Sequence, residues 1–270
     1  MVSQCILLLA GLGLVVFGAD YLVDGASAIA RRSGLSEFVI GLTIVGMGTS
    51  APEMEVSFIG ASQGNADIAM GNVVGSNIFN TLLILGITAL LLPVPITPAN
   101  RRWDIPVNIL VTVLLLVLGL EQTILGVGTD GLSRLDGGIL ITLFLAYIIL
   151  SLARRDPSQN GDSADAAKPV PLWLAFVMVA GGLIALIAGG KLFVNSATDI
   201  AHGLGWSDKF IAVTILAGGT SMPELATCVA AAVKKKGQLA LGNIIGSNLF
   251  NILLILGGAA LIHPLHFAGI

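Results

Sequence analysis

Apolar residues run along this chain in blocks of membrane-spanning length, and polar residues gather between the blocks. Residues 68–92 hold no charged side chain, and neither do 1–19, 105–120, 137–153, 170–190 or 237–262. Two further blocks, 38–61 and 210–233, are apolar apart from a few acidic positions. At 1.5 Å of rise per residue, about 20 apolar residues cross a hydrocarbon core of about 30 Å. The pattern predicts an all-α fold, a polytopic membrane helical bundle with eight spans. Five of them fall at about 5–30, 36–61, 67–92, 105–121 and 136–153, and three follow the polar stretch that starts at Arg154.

Composition sharpens this reading. Of the 270 residues, 55% are hydrophobic and 11% charged, and the mean hydropathy is +0.94, whereas soluble domains carry about 25% charged residues. A net charge of −3 gives no basic surface, so nucleic acid is not an expected partner. The lipid bilayer is, and no oligomer is required. Cys5 and Cys228 lie inside apolar blocks as small hydrophobes, offering neither a disulfide nor a thiolate site. The first block has no basic leader and runs on through Gly18, Ala19, Asp20 and Tyr21, which reads as a retained helix rather than a signal peptide.

The chain repeats itself. GNVVGSNIFNTLLILG at 71–86 and GNIIGSNLFNILLILG at 242–257 share twelve of sixteen positions at an offset of 171. The same offset pairs Gly48, Thr49, Ser50, Pro52 and Glu53 with Gly219, Thr220, Ser221, Pro223 and Glu224. Three units follow: a first repeat at 1–153 with its conserved-looking core motif at about 40–90, a polar linker at 154–170, and a second repeat at 171–270 with its motif at about 211–260. Five spans before the linker put the second copy into the membrane from the opposite side, so the repeats are expected to be inverted in topology. Alternate loops then carry Arg31, Arg32, Arg101, Arg102, Arg154, Arg155, Lys168, Lys234, Lys235 and Lys236 on one side, against Arg134 and Lys209 on the other. That bias places the linker in the cytoplasm and the N-terminus outside, in a cell (cytoplasmic) membrane. The first copy's end near residue 150 maps to about 321 in the second, beyond Ile270, so ten spans are expected of a complete protein. Truncation is the expected reason.

Intramembrane carboxylates are costly and mark function. Glu53 and Glu224 are two such residues at equivalent positions, and helical spacing puts Thr49 and Ser50 on the face of Glu53, as Thr220 and Ser221 on that of Glu224. Pro52 and Pro223 lack the N–H owed to the carbonyls of Gly48 and Gly219, so each helix should break beside its glutamate. In the next span Asn72, Ser76 and Asn80 form an oxygen-bearing stripe, repeated as Asn243, Ser247 and Asn251. Glycines 71, 75, 242 and 246 should let that span approach the broken helix closely. Two carboxylates with hydroxyl, amide and carbonyl oxygens suit hard cations, either one Ca²⁺ or several Na⁺, and not zinc or copper.

The paired GTSxPE and GNxxGSNxFN segments resemble the two α-repeats of the cation/Ca²⁺ exchanger superfamily, above all its bacterial sodium/calcium exchanger branch, over 40–90 and 211–260. The resemblance implies Ca²⁺ held between Glu53 and Glu224 with the carbonyls of Thr49 and Thr220. It implies Na⁺ sites around Gly46, Ser50, Ser76, Ala217, Ser221 and Ser247, and alternating access in which the first and sixth helices slide over a fixed core. No cofactor is implied; Ca²⁺ and Na⁺, or H⁺, are the transported ions. Some relatives carry an acid where this chain has Asn251, the mate of Asn80, which weakens any case for K⁺ co-transport.

Rival readings stand beside that one. Protonation of the same glutamates would make the exchanger H⁺-coupled, and the absent spans would make the chain a non-transporting fragment. An intramembrane hydrolase needs an acid and a base in unlike surroundings, which the repeat does not supply. Asn72, Asn77, Asn243 and Asn248 read as interhelical hydrogen-bonding residues, Glu55 as a cavity-edge residue, and Asp20 and Lys191 as groups with local partners. Lys234, Lys235 and Lys236 read as a topology determinant able to meet anionic lipid.

Overall fold

Helices form where the apolar blocks stand. In the computed structural model, which describes residues 2–126, 130–153, 170–211, 214–215 and 217–266, α1 spans Val2–Ser33. The second span is broken into α2a, Glu37–Thr49, and α2b, Ala51–Ser62. Then come α3 (Ala66–Leu91), α4 (Asn100–Gly119), α5 (Arg134–Ala153) and α6 (Leu172–Gly203). The seventh span is broken likewise: α7a has helical turns at Asp208–Ile211 and Ala217–Gly219, and α7b covers Met222–Val233. α8 is Gly237–Ile262. Six of these helices are long and apolar enough to cross a membrane, and the two broken spans supply the remaining expected blocks. The expected linker at 154–170, except for Val170, lies outside the described residues, as do the side chains of Lys209 and Ala217.

Both breaks sit where the prolines predict them. Ser50 and Ser221 leave the helical region (φ −82°, ψ 9° and φ −86°, ψ 7°), and Pro52 and Pro223 fall in the first turn of the helix that follows. A proline is tolerated there because that N–H has no intrahelical partner. Wider π turns at Gly41–Val45, Asn80–Ile84 and Phe250–Leu256 carry no such sequence signal.

α1 and α6 are repeat mates that pack antiparallel along a glycine seam, which makes the inversion of the repeats visible. A Cβ on Gly18 would come 2.7 Å from the carbonyl of Gly182, and one on Gly182 would come 2.7 Å from that of Gly18. Gly11 faces Gly189 in the same way, and Gly25 faces Ala175. Heptad spacing of small residues keeps one stripe in register over the pair, so the two backbones touch throughout. Their outer faces stay apolar and exposed, as at Val16, Phe17, Phe176 and Ile184, which is the surface lipid requires.

The other six spans form a core around α8. Every residue of Gly237–Leu249 is buried, covered by α2a, α7b and α4, while α5 packs on Phe250–Ile262. Its mate α3 buries only Ala69, Val73 and Ser76 between Ala66 and Phe79. Short strands β1 (Gly131–Leu132) and β2 (Leu265–His266) pair antiparallel at the bundle end that also carries Gln63, hereafter the Gln63 end. The opposite end carries Lys234.

Candidate functional site

The two breaks face each other at mid-bundle, and each glutamate is held by the serine of the opposite break. Ser50 Oγ donates to Glu224 Oε1 at 2.9 Å, and Ser221 Oγ donates to Glu53 Oε1 at 3.2 Å. Ser76 Oγ from α3 donates to the same Glu53 oxygen at 3.4 Å. Both carboxylates are buried, as are Thr49, Ser50, Ser76, Ser221 and Ser247. Among the described residues each leaves its second oxygen, Oε2, with no donor. The side-chain oxygens of Asn80 and Asn251 are buried and unpaired as well. Four unpartnered acceptors at two repeat-related positions are an expensive arrangement in hydrocarbon, since a buried acceptor without a donor costs about 1–3 kcal/mol. Acceptors without donors are what a bare cation needs. Among the described residues no three His, Cys, Asp or Glu gather as a metal cluster, so an ion here meets two carboxylates and otherwise neutral oxygens.

The amides around the site tie helices together. Asn77 Nδ2 donates to the Asn248 carbonyl at 3.1 Å, Asn251 Nδ2 to Asn77 Oδ1 at 3.0 Å, and Asn80 Nδ2 to Asn248 Oδ1 at 3.2 Å. Asn72 Nδ2 reaches the Glu53 carbonyl at 3.0 Å and Ser57 Oγ at 2.9 Å, fixing the turn that carries the glutamate. The Gly46 carbonyl, expected as an Na⁺ ligand, accepts from Ser50 N–H at 3.2 Å and Ser247 Oγ at 3.3 Å. It is therefore engaged in protein bonds in this conformer. Thr220 is half-buried and Ala217 opens the last turn of α7a.

A cavity of about 950 Å³ leads from this site toward the Gln63 end. α2b, α3, α6 and α7a wall it, with Asn72, Ser76 and Thr220 at its depth and Glu55 and Lys191 on its wall. Lys191 Nζ pairs with Glu55 Oε2 at 2.9 Å, bridging α6 to α2b. At the opposite end Lys234 Nζ holds Asp20 at 2.6 Å and Asp24 at 2.7 Å, and Lys236 holds Glu37 at 2.9 Å. Lys234 and Lys236 thus fasten α1 and α2a to the core, a role beyond setting topology that sequence spacing does not reveal. The expected close approach of all four stripe glycines also needs correction. Gly242 and Gly246 lie against the backbone of Phe38 and Leu42, whereas among the described residues nothing lies within 4 Å of a Cβ on Gly71 or Gly75. Both of these glycines line the cavity.

Comparison with known proteins bears on the fold and the family. The profile of the family described as "Sodium/calcium exchanger protein" matches residues 3–153 and 174–269. The chain is 42% identical to the putative antiporter CaxA of Alkalimonas amylolytica over 264 residues, covering 98% of this chain and 82% of that protein. It is 35% identical over 294 residues to the sodium/calcium exchanger MaX1 of Methanosarcina acetivorans, covering 97% and 84%. A solved structure of the sodium-calcium exchanger NCX_Mj, soaked with 2.5 mM Na⁺ and 0.1 mM Ca²⁺, superposes with a TM-score of 0.84 at 34% identity, covering 98% of this chain and 84% of that one.

Proposed function

This chain belongs to the sodium/calcium exchanger protein family, a family of membrane transporters rather than enzymes, and we propose that it is a secondary active antiporter exchanging Ca²⁺ for Na⁺ across the cytoplasmic membrane. The observation that carries this reading is the set of four unpaired buried oxygens, Glu53 Oε2, Glu224 Oε2, Asn80 Oδ1 and Asn251 Oδ1. Two carboxylates balance the charge of one Ca²⁺, and the hydroxyls of Ser50, Ser76, Ser221 and Ser247 with the carbonyls of Gly46, Thr49, Ala217 and Thr220 fill out an oxygen shell for Ca²⁺ or for Na⁺ in overlapping sites. Ca²⁺ and Na⁺ compete because both draw on the same two glutamates, and competition at one site is what makes the fluxes exchange.

The inverted repeats and the separate α1/α6 pair support alternating access. The α1/α6 seam moves as one body over the core, opening a path to the site at one end as it closes the other. With the N-terminus outside, the Gln63 end is extracellular, and the conformer described here faces outward. The positive-inside bias supports that orientation.

The test is ⁴⁵Ca²⁺ uptake into Na⁺-loaded proteoliposomes diluted into Na⁺-free buffer at matched pH. Uptake that needs the Na⁺ gradient supports the exchanger. Uptake that ignores Na⁺ and follows a pH gradient replaces Na⁺ by H⁺ as the coupling ion, and no uptake under either gradient sinks the antiporter reading.

A further inference from the structure

One hydrogen bond is made at one end of the site and open at the other. At the Lys234 end, Thr49 Oγ1 donates to Asn243 Oδ1 at 3.2 Å, with the Gly46 carbonyl a second acceptor at 3.4 Å, and Thr49 and Asn243 are both fully buried. An offset of 171 carries this pair onto Thr220 and Asn72. There the bond is open: among the described residues Thr220 makes no side-chain hydrogen bond, Asn72 Oδ1 accepts none, and both line the cavity. The other half of each asparagine is alike. Asn72 Nδ2 donates to Ser57 Oγ at 2.9 Å, and Asn243 Nδ2 lies 3.2 Å from the sulfur of Cys228, the mate of Ser57. Each amide is thus anchored within its own repeat through nitrogen, and the oxygen of Asn243 meets a hydroxyl from the other repeat while that of Asn72 accepts no hydrogen bond among the described residues.

From this we infer that Asn72 and Asn243 are the two clasps of the access cycle: Asn243 seals the Lys234 end by taking the Thr49 hydroxyl, and Asn72 seals the Gln63 end by taking that of Thr220. They are positioning residues, and the inference rests on the alternating-access reading. Its physical basis is dehydration. In the open cavity the Asn72 oxygen is wetted, but closing the helices over it strips that water, so closure is favourable only with the hydroxyl in place. The same threonine is proposed to give its backbone carbonyl to the ion. An ion that draws in that carbonyl brings the hydroxyl within reach of its clasp, which couples occupancy to closure.

Hydrogen exchange by mass spectrometry on the full chain in lipid nanodiscs tests this, reading peptides over 43–50 and 217–224. Removing one net hydrogen bond shifts a two-state population about fivefold. Asn243→Ala is expected to speed exchange over 43–50 and slow it over 217–224. Asn72→Ala is expected to do the reverse, and the double variant to return near the unmodified pattern. Thr49→Val and Thr220→Val, which keep shape and backbone carbonyl, reproduce the two single effects where an asparagine variant does not fold. Faster exchange at both ends in both variants, or no shift in either, overturns the clasps. Ca²⁺ flux measured on the same preparations separates the two ideas: its absence from the unmodified protein sinks the antiporter reading, while opposite shifts in exchange still uphold the clasps.

Discussion

The Lys234 end and the Gln63 end are built from the same motif and share their serine–glutamate bonds, yet they differ in how the helices around that motif pack. At the first, α2a lies on Gly242 and Gly246, Thr49 meets Asn243, and Ser247 donates to the Gly46 carbonyl. At the second, among the described residues, nothing lies within 4 Å of a Cβ on the mates Gly71 and Gly75, and Thr220 and Asn72 line the cavity without a hydrogen bond between them. Near-identical sequence therefore supports two packings. In the proposed cycle the position of the α1/α6 pair decides between them, satisfying one end at a time. α1 is fastened to the sealed end by Lys234 with Asp20 and Asp24, and the Lys191–Glu55 pair ties α6 to the open end. On that proposal the inverted repeat lets one local structure serve two states.

The comparison breaks most severely at its centre. In the proposed cycle both ends lead to the same two carboxylates, so Glu53→Gln and Glu224→Gln are each expected to lower Na⁺-driven ⁴⁵Ca²⁺ flux by at least about 100-fold, the upper end of what losing a group that merely supports a metal ligand costs. Equal losses mark a shared site; a loss confined to one variant would separate the two ends.

Next in size come the stripe glycines. Gly246→Ala forces a methyl group against the Leu42 backbone and is expected to cost about 1–3 kcal/mol of the sealed conformer. Gly75→Ala meets open space and is expected to leave this conformer's thermal unfolding midpoint in detergent within about 0.5 kcal/mol of unchanged. Its cost falls on the opposite state, visible as slower turnover with unaltered midpoint.

The ion pairs give the smallest effect. Exposed pairs contribute about 0–1 kcal/mol each. Lys234→Gln removes two such contacts and Lys191→Gln one, so the former is expected to open the Lys234 end more, by about threefold in hydrogen exchange over 43–50 at low salt. Added salt should shrink the difference.

The centre of this site is legible in the sequence because its determinants are local. Pro52 and Pro223 each break a helix wherever it goes, and Glu53 and Glu224 stand out because hydrocarbon penalises a carboxylate at any position. The inversion is legible from five spans standing before the linker. The state of the molecule is not legible, since a repeat that matches at twelve of sixteen positions says nothing about which copy is packed. Nor are contacts that join unlike positions. Lys191 pairs with Glu55, whose own mate is Ala226, and Lys234 finds acids on a helix more than 200 residues away. The π turns at Asn80–Ile84 and Phe250–Leu256 fall at the same place in both copies of the motif, so they recur with the sequence although nothing in residue type or spacing announces them.

The central claim is one site reached through two doors, never both at once. It is tested most directly by labelling Val56→Cys, on the cavity wall, and its mate Thr227→Cys, buried at the sealed end, with an impermeant maleimide. The background is Cys5→Ser with Cys228→Ser, the latter placing in the second repeat the residue found at Ser57 in the first. In oriented vesicles position 56 is expected to label from the Gln63 side while position 227 is protected, and a reversed ion gradient is expected to expose 227 to the other side and protect 56. Simultaneous labelling of both positions under one condition would mean a continuous pore and would contradict the account.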